Sequence, residues 1–143
     1  MAELRKKRPG KQNIFYRDFD LAFRRHPVTG KLILKKDEDS VRQALKYLVL
    51  SNKYERPFAP EFGTDLRAKL FENMDAFTVN DIQTKIEDAI RQFEPRVTFD
   101  GGEGLGVYVA AYPDNNGVGV TIKYKHVSTL KSDQVNINID RVR

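Results

Sequence analysis

The sequence predicts an α+β fold, on three observations. Apolar residues recur at helical spacing between residues 40 and 93, the period changes to two after Pro95, and clusters of Pro and Gly separate the runs. The expected order is an N-terminal hairpin-like segment, about three helices and a C-terminal antiparallel sheet.

Residues 13 to 24 place Phe15, Phe19, Leu21 and Phe23 mostly on one parity. That predicts an extended segment with its aromatics facing the core. His26-Pro27-Val28-Thr29-Gly30-Lys31 has turn chemistry, and Leu32-Ile33-Leu34 resumes as a short strand, so a hairpin is expected. Asp37-Glu38-Asp39 suits the positive end of a helix dipole, and Ser40 with Gln43 has capping-box spacing. Val41, Ala44, Leu45 and Leu48 then mark a helix over about 40 to 51, with Asn52 as its stop.

Tyr54 to Gly63 holds two prolines and a glycine, which predicts an ordered loop packed down by Tyr54, Phe58 and Phe62. Thr64 is the expected cap of a short helix burying Leu66, Leu70 and Phe71. Ile82, Ile86, Ala89, Ile90 and Phe93 form one stripe of a longer helix, with Thr78 or Asn80 as cap and Pro95 as terminator. Beyond it, Val97 and Phe99 alternate, residues 101 to 104 turn, and Leu105 to Tyr112 makes a strand. Pro113 to Gly117 is a second turn signal. Val118, Val120, Ile122 and Tyr124 then share one face of a third strand, and Val135, Ile137 and Ile139 one face of a last.

The chain's 143 residues suit one domain, expected over 13–143 behind a basic N-terminal tail at 1–12. That tail holds five basic residues against Glu3, so most of the formal charge of +5 lies there. The remaining 20 basic and 19 acidic side chains nearly cancel. Pro9 and Gly10 break the tail and no aromatic interleaves its charges, so a solvated or protein-docking role is expected over nucleic-acid binding. The absence of cysteine removes disulfides, thiolate metal sites and cysteine nucleophiles, and His26 and His126 make no metal cluster. No apolar run approaches a membrane span or a secretory signal. A soluble protein of a reducing cytoplasm is expected, without cofactor, metal or membrane partner.

Four acids, Glu55, Glu61, Glu72 and Glu94, raise the possibility of a paired-carboxylate glycosidase, but Glu55 and Glu94 sit beside arginines and Glu61 precedes a helix. The glycines at 101 to 106 lie between two strand patterns and read as a hairpin turn, not a phosphate loop. Glu94-Pro95-Arg96 falls where a helix gives way to a strand. The pair can lock to each other as an internal clamp, the reading the tripeptide alone favours, or offer a rigid pair to a neighbour.

The order of Asp18 to Phe23, His26 to Gly30, Leu50 to Gly63, Leu70 to Asn73 and Phe93 to Val97 resembles the baseplate wedge and sheath-initiator family of contractile phage tails. The combination of Glu-Arg-Pro-Phe, Pro-Glu-Phe-Gly and Glu-Pro-Arg carries the resemblance, which runs from about residue 15 to the C-terminus. It implies an α+β structural subunit of the virion tail baseplate, put together in the host cytoplasm. Glu94, Pro95 and Arg96 match the motif that implies contact with wedge core proteins. Glu55, Arg56 and Pro57 match a second motif, taken to hold the central loop. The C-terminal sheet implies a template for the first ring of tail sheath protein. An alternating segment there, Val135, Asn136, Ile137, Asn138, Ile139 and Asp140, offers backbone groups for strand addition. Tail tube or hub proteins are further candidate partners. The alternatives are the equivalent subunit of a bacterial contractile injection or type VI secretion machine, and a peptidoglycan-cleaving enzyme using Glu55, Glu61 or Glu94.

Overall fold

A computed structural model describes residues 16–112 and 117–140. The tail at 1–12, Phe15, the turn residues 113–116 and the final three residues lie outside the described residues. The chain divides into two compact units, Met1–Ser40 and Val41–Arg143. The α+β expectation is borne out in both the kinds of element and their order.

In the first unit, β1 (Arg17–Phe19) pairs antiparallel with β2 (Leu34–Lys36), Phe19 opposite Leu34. The turn between them is the predicted one: the His26 amide bonds the Lys31 carbonyl, the Gly30 amide bonds the His26 carbonyl, and Gly30 takes φ 66. The aromatics do not face the core as expected. Phe19 and Phe23 are exposed, because Asp18 and Asp20 take the inward positions instead.

The helix α1 (Asp37–Leu50) begins directly after β2, three residues ahead of the expected start. Asp37 sits at φ 42 and its amide bonds the Tyr16 carbonyl, so the backbone turns from strand into helix without a loop. Ser40 is therefore no cap. It is buried inside the helix and its hydroxyl donates to Asp18. At the other end Ser51, not Asn52, closes the helix through its amide and hydroxyl to the Tyr47 carbonyl.

In the second unit, α2 (Leu66–Lys69) is a single turn preceded by Asp65 at φ 52, with no side-chain cap. Thr64, the expected cap, donates its hydroxyl to the Val49 carbonyl at 2.8 Å and so ties this segment to α1. Leu66 and Leu70 are buried as predicted, but Phe71 lies past the short helix and is exposed. The long helix α3 (Ala76–Phe93) is capped by Asp75, not Thr78 or Asn80. The Thr78 amide donates to the Asp75 carboxylate at 2.7 Å. Burying Thr78 removed it from the cap position. Glu94 closes α3 ahead of Pro95, where the proline predicted its end.

The sheet is built on β5 (Gly117–His126). Along one side runs β6 (Ser132–Asp140); along the other lie β4 (Gly106–Tyr112) and, beyond its end, β3 (Val97–Thr98). All pairings are antiparallel, and β4, β5 and β6 form the expected meander. Register stacks the core in cross-strand rows: Val107, Ile122 and Val135; Val109, Val120 and Ile137; Ala111, Val118 and Ile139. Alternation places these on one face, where Val41, Leu45, Leu48, Ile82, Ile86 and Ile90 of the helices complete the cluster. The opposite face carries Tyr108, Thr121 and Asn136 in one row.

Candidate assembly surface

Glu94 and Arg96 are positioned by the helix-to-strand junction that Pro95 enforces. The Glu94 carboxylate, 6% exposed, accepts from Arg96 Nε at 2.5 Å and Nη2 at 2.6 Å. This is a two-pronged, charge-assisted contact between residues two apart. Pro95 between them is exposed, and the Arg96 carbonyl accepts the Val127 amide, tying the junction to the end of β5.

In the central loop, Glu55 accepts from the Asn52 amide at 3.0 Å and from Asn52 Nδ2 at 2.6 Å. The Arg56 guanidinium lies 3.8 Å from the Phe62 ring centroid and 4.7 Å from that of Tyr47, a cation–π contact with both rings. Phe62 packs in turn edge-on to Phe93. The loop is pinned at Phe62 alone among its aromatics, since Tyr54 and Phe58 project into solvent, against the expectation that all three pack down. Gly63 is required at its end: at φ 121, a Cβ there would stand 2.5 Å from the Ser51 carbonyl oxygen.

The acids considered for catalysis are dispersed among partners. Glu61 is exposed and 3.9 Å from Lys53, Glu72 binds Lys69 at 2.9 Å, and Glu94 is held by Arg96. Lys53, Glu61, Asp65, Lys69, Lys85 and Asp88 line a groove of about 360 Å³ beside α2 and α3, where the charges cancel.

On β6, Val135, Ile137 and Ile139 are buried while Gln134, Asn136, Asn138 and Asp140 are exposed. One side of the strand is hydrogen-bonded to β5; among the described residues no strand lies along the other. β4 and the short β3 make up the opposite edge of the sheet.

One cluster went unread in the sequence. Asp133 starts the inward parity of β6 and opposes Tyr124 of β5. Its carboxylate takes two bonds from Arg42 and one, at 3.0 Å, from the Tyr124 hydroxyl. Burial pushes the Asp133 carboxyl up, but the Arg42 guanidinium, the Gln134 amide and the Tyr124 hydroxyl outweigh it, and the group titrates below the usual range. Burial, and then the Asp133 charge, drive the Tyr124 phenol far above its ordinary value. A charged residue on the same parity as Val135, Ile137 and Ile139 was the available signal.

Residues 35–129 match the family model described as Baseplate wedge protein gp25. The chain belongs to that family. Both tripeptides, Glu55 to Pro57 and Glu94 to Arg96, lie inside the matched span, while β6 and most of the β1–β2 hairpin lie outside it. The gp25 of Enterobacteria phage T4 is 43% identical over 58 residues, 41% of this chain and 44% of that protein. The match therefore spans less than half of the T4 protein. Two solved structures share the fold at 18% identity. A Geobacter sulfurreducens protein provisionally called a tail lysozyme has a TM-score of 0.67 over 79% of this chain and 98% of that one. A chain of the anti-feeding prophage baseplate has 0.59 over 90% and 87%.

Proposed function

We propose that the chain is a non-enzymatic baseplate subunit of a contractile tail that receives a strand of the sheath protein along β6 and contacts the wedge core through Glu94, Pro95 and Arg96. The supporting observation is the make-up of β6. It is a nine-residue outer strand, apolar inward and amide-rich outward, with no strand on its far side among the described residues. Strand addition needs such a row of backbone donors and acceptors, and alternate side chains set the register. Asn136 and Asn138 keep the edge soluble without closing it.

At the wedge contact, the Glu94–Arg96 pair fixes an exposed Pro95 on a stiff corner, which lowers the entropy lost on docking. Glu55, Arg56 and Pro57 hold the neighbouring loop by the contacts described above. A lysozyme-like role finds less support, since the Glu61, Glu72 and Glu94 carboxylates engage basic side chains and Glu55 engages Asn52.

The chain has no cysteine, so Asn138→Cys introduces a unique thiol. Oxidising assembled particles that carry it together with single-cysteine sheath subunits is expected to give disulfides at alternate sheath positions. Normal incorporation with no such disulfide would overturn strand addition on β6. For the wedge contact, the double variant Glu94→Gln, Arg96→Met keeps volume but removes both charges. Loss of wedge co-purification from a folded protein is expected, and unchanged co-purification would remove this contact.

A further inference from the structure

The β1–β2 hairpin is turned inside out. Strands covered on one face ordinarily bury their apolar parity and expose the polar one. Here Arg17, Phe19, Leu32, Leu34 and Lys36 are exposed, whereas Asp18, Asp20, Ile33 and Lys35 are buried or half-buried. Phe19 lies opposite Leu34, and Leu32 follows the same parity, so the three share the outward face.

Two carboxylates cause the inversion. Asp18 accepts the Ser40 hydroxyl, and Asp20, only 5% exposed, accepts Arg24 Nε at 2.7 Å. The hydrogen bond from Arg24 lowers the Asp20 carboxyl below its usual range. Buried acids of this kind need such partners, and meeting that need fixes which face turns inward. At the turn after β1, Phe23 stands 66% exposed at φ 49, a backbone region that a bulky residue rarely adopts. A strained, solvent-facing phenylalanine on the same hairpin as exposed Phe19, Leu32 and Leu34 is an unfavourable arrangement for an isolated subunit.

Charge then selects the occupant. Residues 16–36 hold six basic side chains and two acids, and both acids are engaged; of the three acids that follow and open α1, Asp37 and Glu38 are half-buried and Asp39 is exposed. Arg17, Arg25, Lys31 and Lys36 are exposed around the apolar centre. The segment at 1–12 carries the same sign, +4, and a second copy of the hairpin would too, so electrostatics oppose either as the cover. Nucleic acid would satisfy the rim and leave the leucines wet.

We infer that this face docks an acidic protein partner, presenting an apolar pocket rimmed by Asp or Glu, with Phe23 and Leu34 as anchors and the surrounding cations setting orientation. The surface is independent of β6 and of Glu94 to Arg96, and lies mostly outside the family-matched span.

The test places the photo-cross-linker benzoylphenylalanine at Phe23 or at Leu34, with Lys46 on α1 as control, in assembled particles. The expected product joins the chain to a different protein through a segment of net negative charge, well above the control. Adding Arg17→Glu and Lys36→Glu is expected to lower its yield about tenfold. Cross-links only to residues 1–15, to a second copy or to nucleic acid, or none above the control, would overturn the inference. Failure of the Asn138→Cys disulfides would leave it standing, because the two readouts use different segments of the chain.

Discussion

Arg42 on α1 and Asp133 on β6, separated by 91 positions, meet through two hydrogen bonds of 2.8 Å, Nε to Oδ2 and Nη2 to Oδ1. The same carboxylate accepts the Tyr124 hydroxyl and lies 3.5 Å from His126 Nε2, a buried nitrogen with no hydrogen-bond partner among the described residues. This knot joins the first helix to the outer strand proposed to receive the sheath. Arg42→Met strands the carboxylate and is expected to lower stability by about 2 kcal/mol, between an exposed pair and a fully buried one. Urea denaturation measures it.

The acid limb of stability follows from the same carboxylate. Its folded value is depressed, so its contribution is complete above the unfolded Asp value of about 3.9 and fades as pH falls through the folded one. Asp20 acts in the same direction. Urea midpoints measured from pH 6 down to pH 2 are expected to fall below about pH 4, and Asp133→Asn should flatten that fall.

Glu94 and Arg96 should show strong coupling. Arg96→Met leaves a carboxylate that is 6% exposed without its main partner, at a loss of about 2–3 kcal/mol. Adding Glu94→Gln is expected to restore most of it. A double-mutant cycle by thermal melting checks this, and additive losses would contradict the geometry.

Two turns share one pattern. In both, a His amide bonds the carbonyl of a Lys five residues on, and the amide of the fourth residue bonds back to the His carbonyl: His26 to Lys31 and His126 to Lys131. The left-handed fourth position is Gly30 in the first and Leu130, at φ 56, in the second. Leu130 is exposed and loses little packing, so Leu130→Gly is expected to raise stability by about 0.5–1 kcal/mol. Chemical denaturation decides it.

Gly63→Ala makes the opposite case. Its new methyl would collide with the Ser51 carbonyl at a φ that L-residues avoid, so a loss of about 3 kcal/mol is expected, read as a shift of the melting curve.

The same pair of turns explains what was legible beforehand. Pro27 and Gly30 announce the first turn, while the second hides a left-handed Leu130 in a sequence without a breaker. Alternation revealed the sheet because one face meets a core, and Pro95 marked the end of α3 because its constraint is local. Helix starts were misread for a tertiary reason. Ser40 and Thr64 are good caps by type, but each hydroxyl is taken by a residue distant in sequence, Asp18 or Val49. Parity alone assigns the hairpin's aromatics to the core, and the hydrogen-bond needs of Asp18 and Asp20 reverse it. Within the assembly surface, Glu94 and Arg96 stood out as a pair from their spacing around a proline. Asp133 did not, since its partner Arg42 is a whole domain's length away.

The distance between Arg42 and Asp133 also sets an order of events during synthesis. At about 5–20 residues per second, a ribosome that has made α1 needs several seconds more to supply the residue that anchors β6. Until then β5 has no neighbour on that side, and the outer edge has not been laid down. On the proposed reading, the edge that would receive a sheath strand is therefore the last part of this sheet to be made.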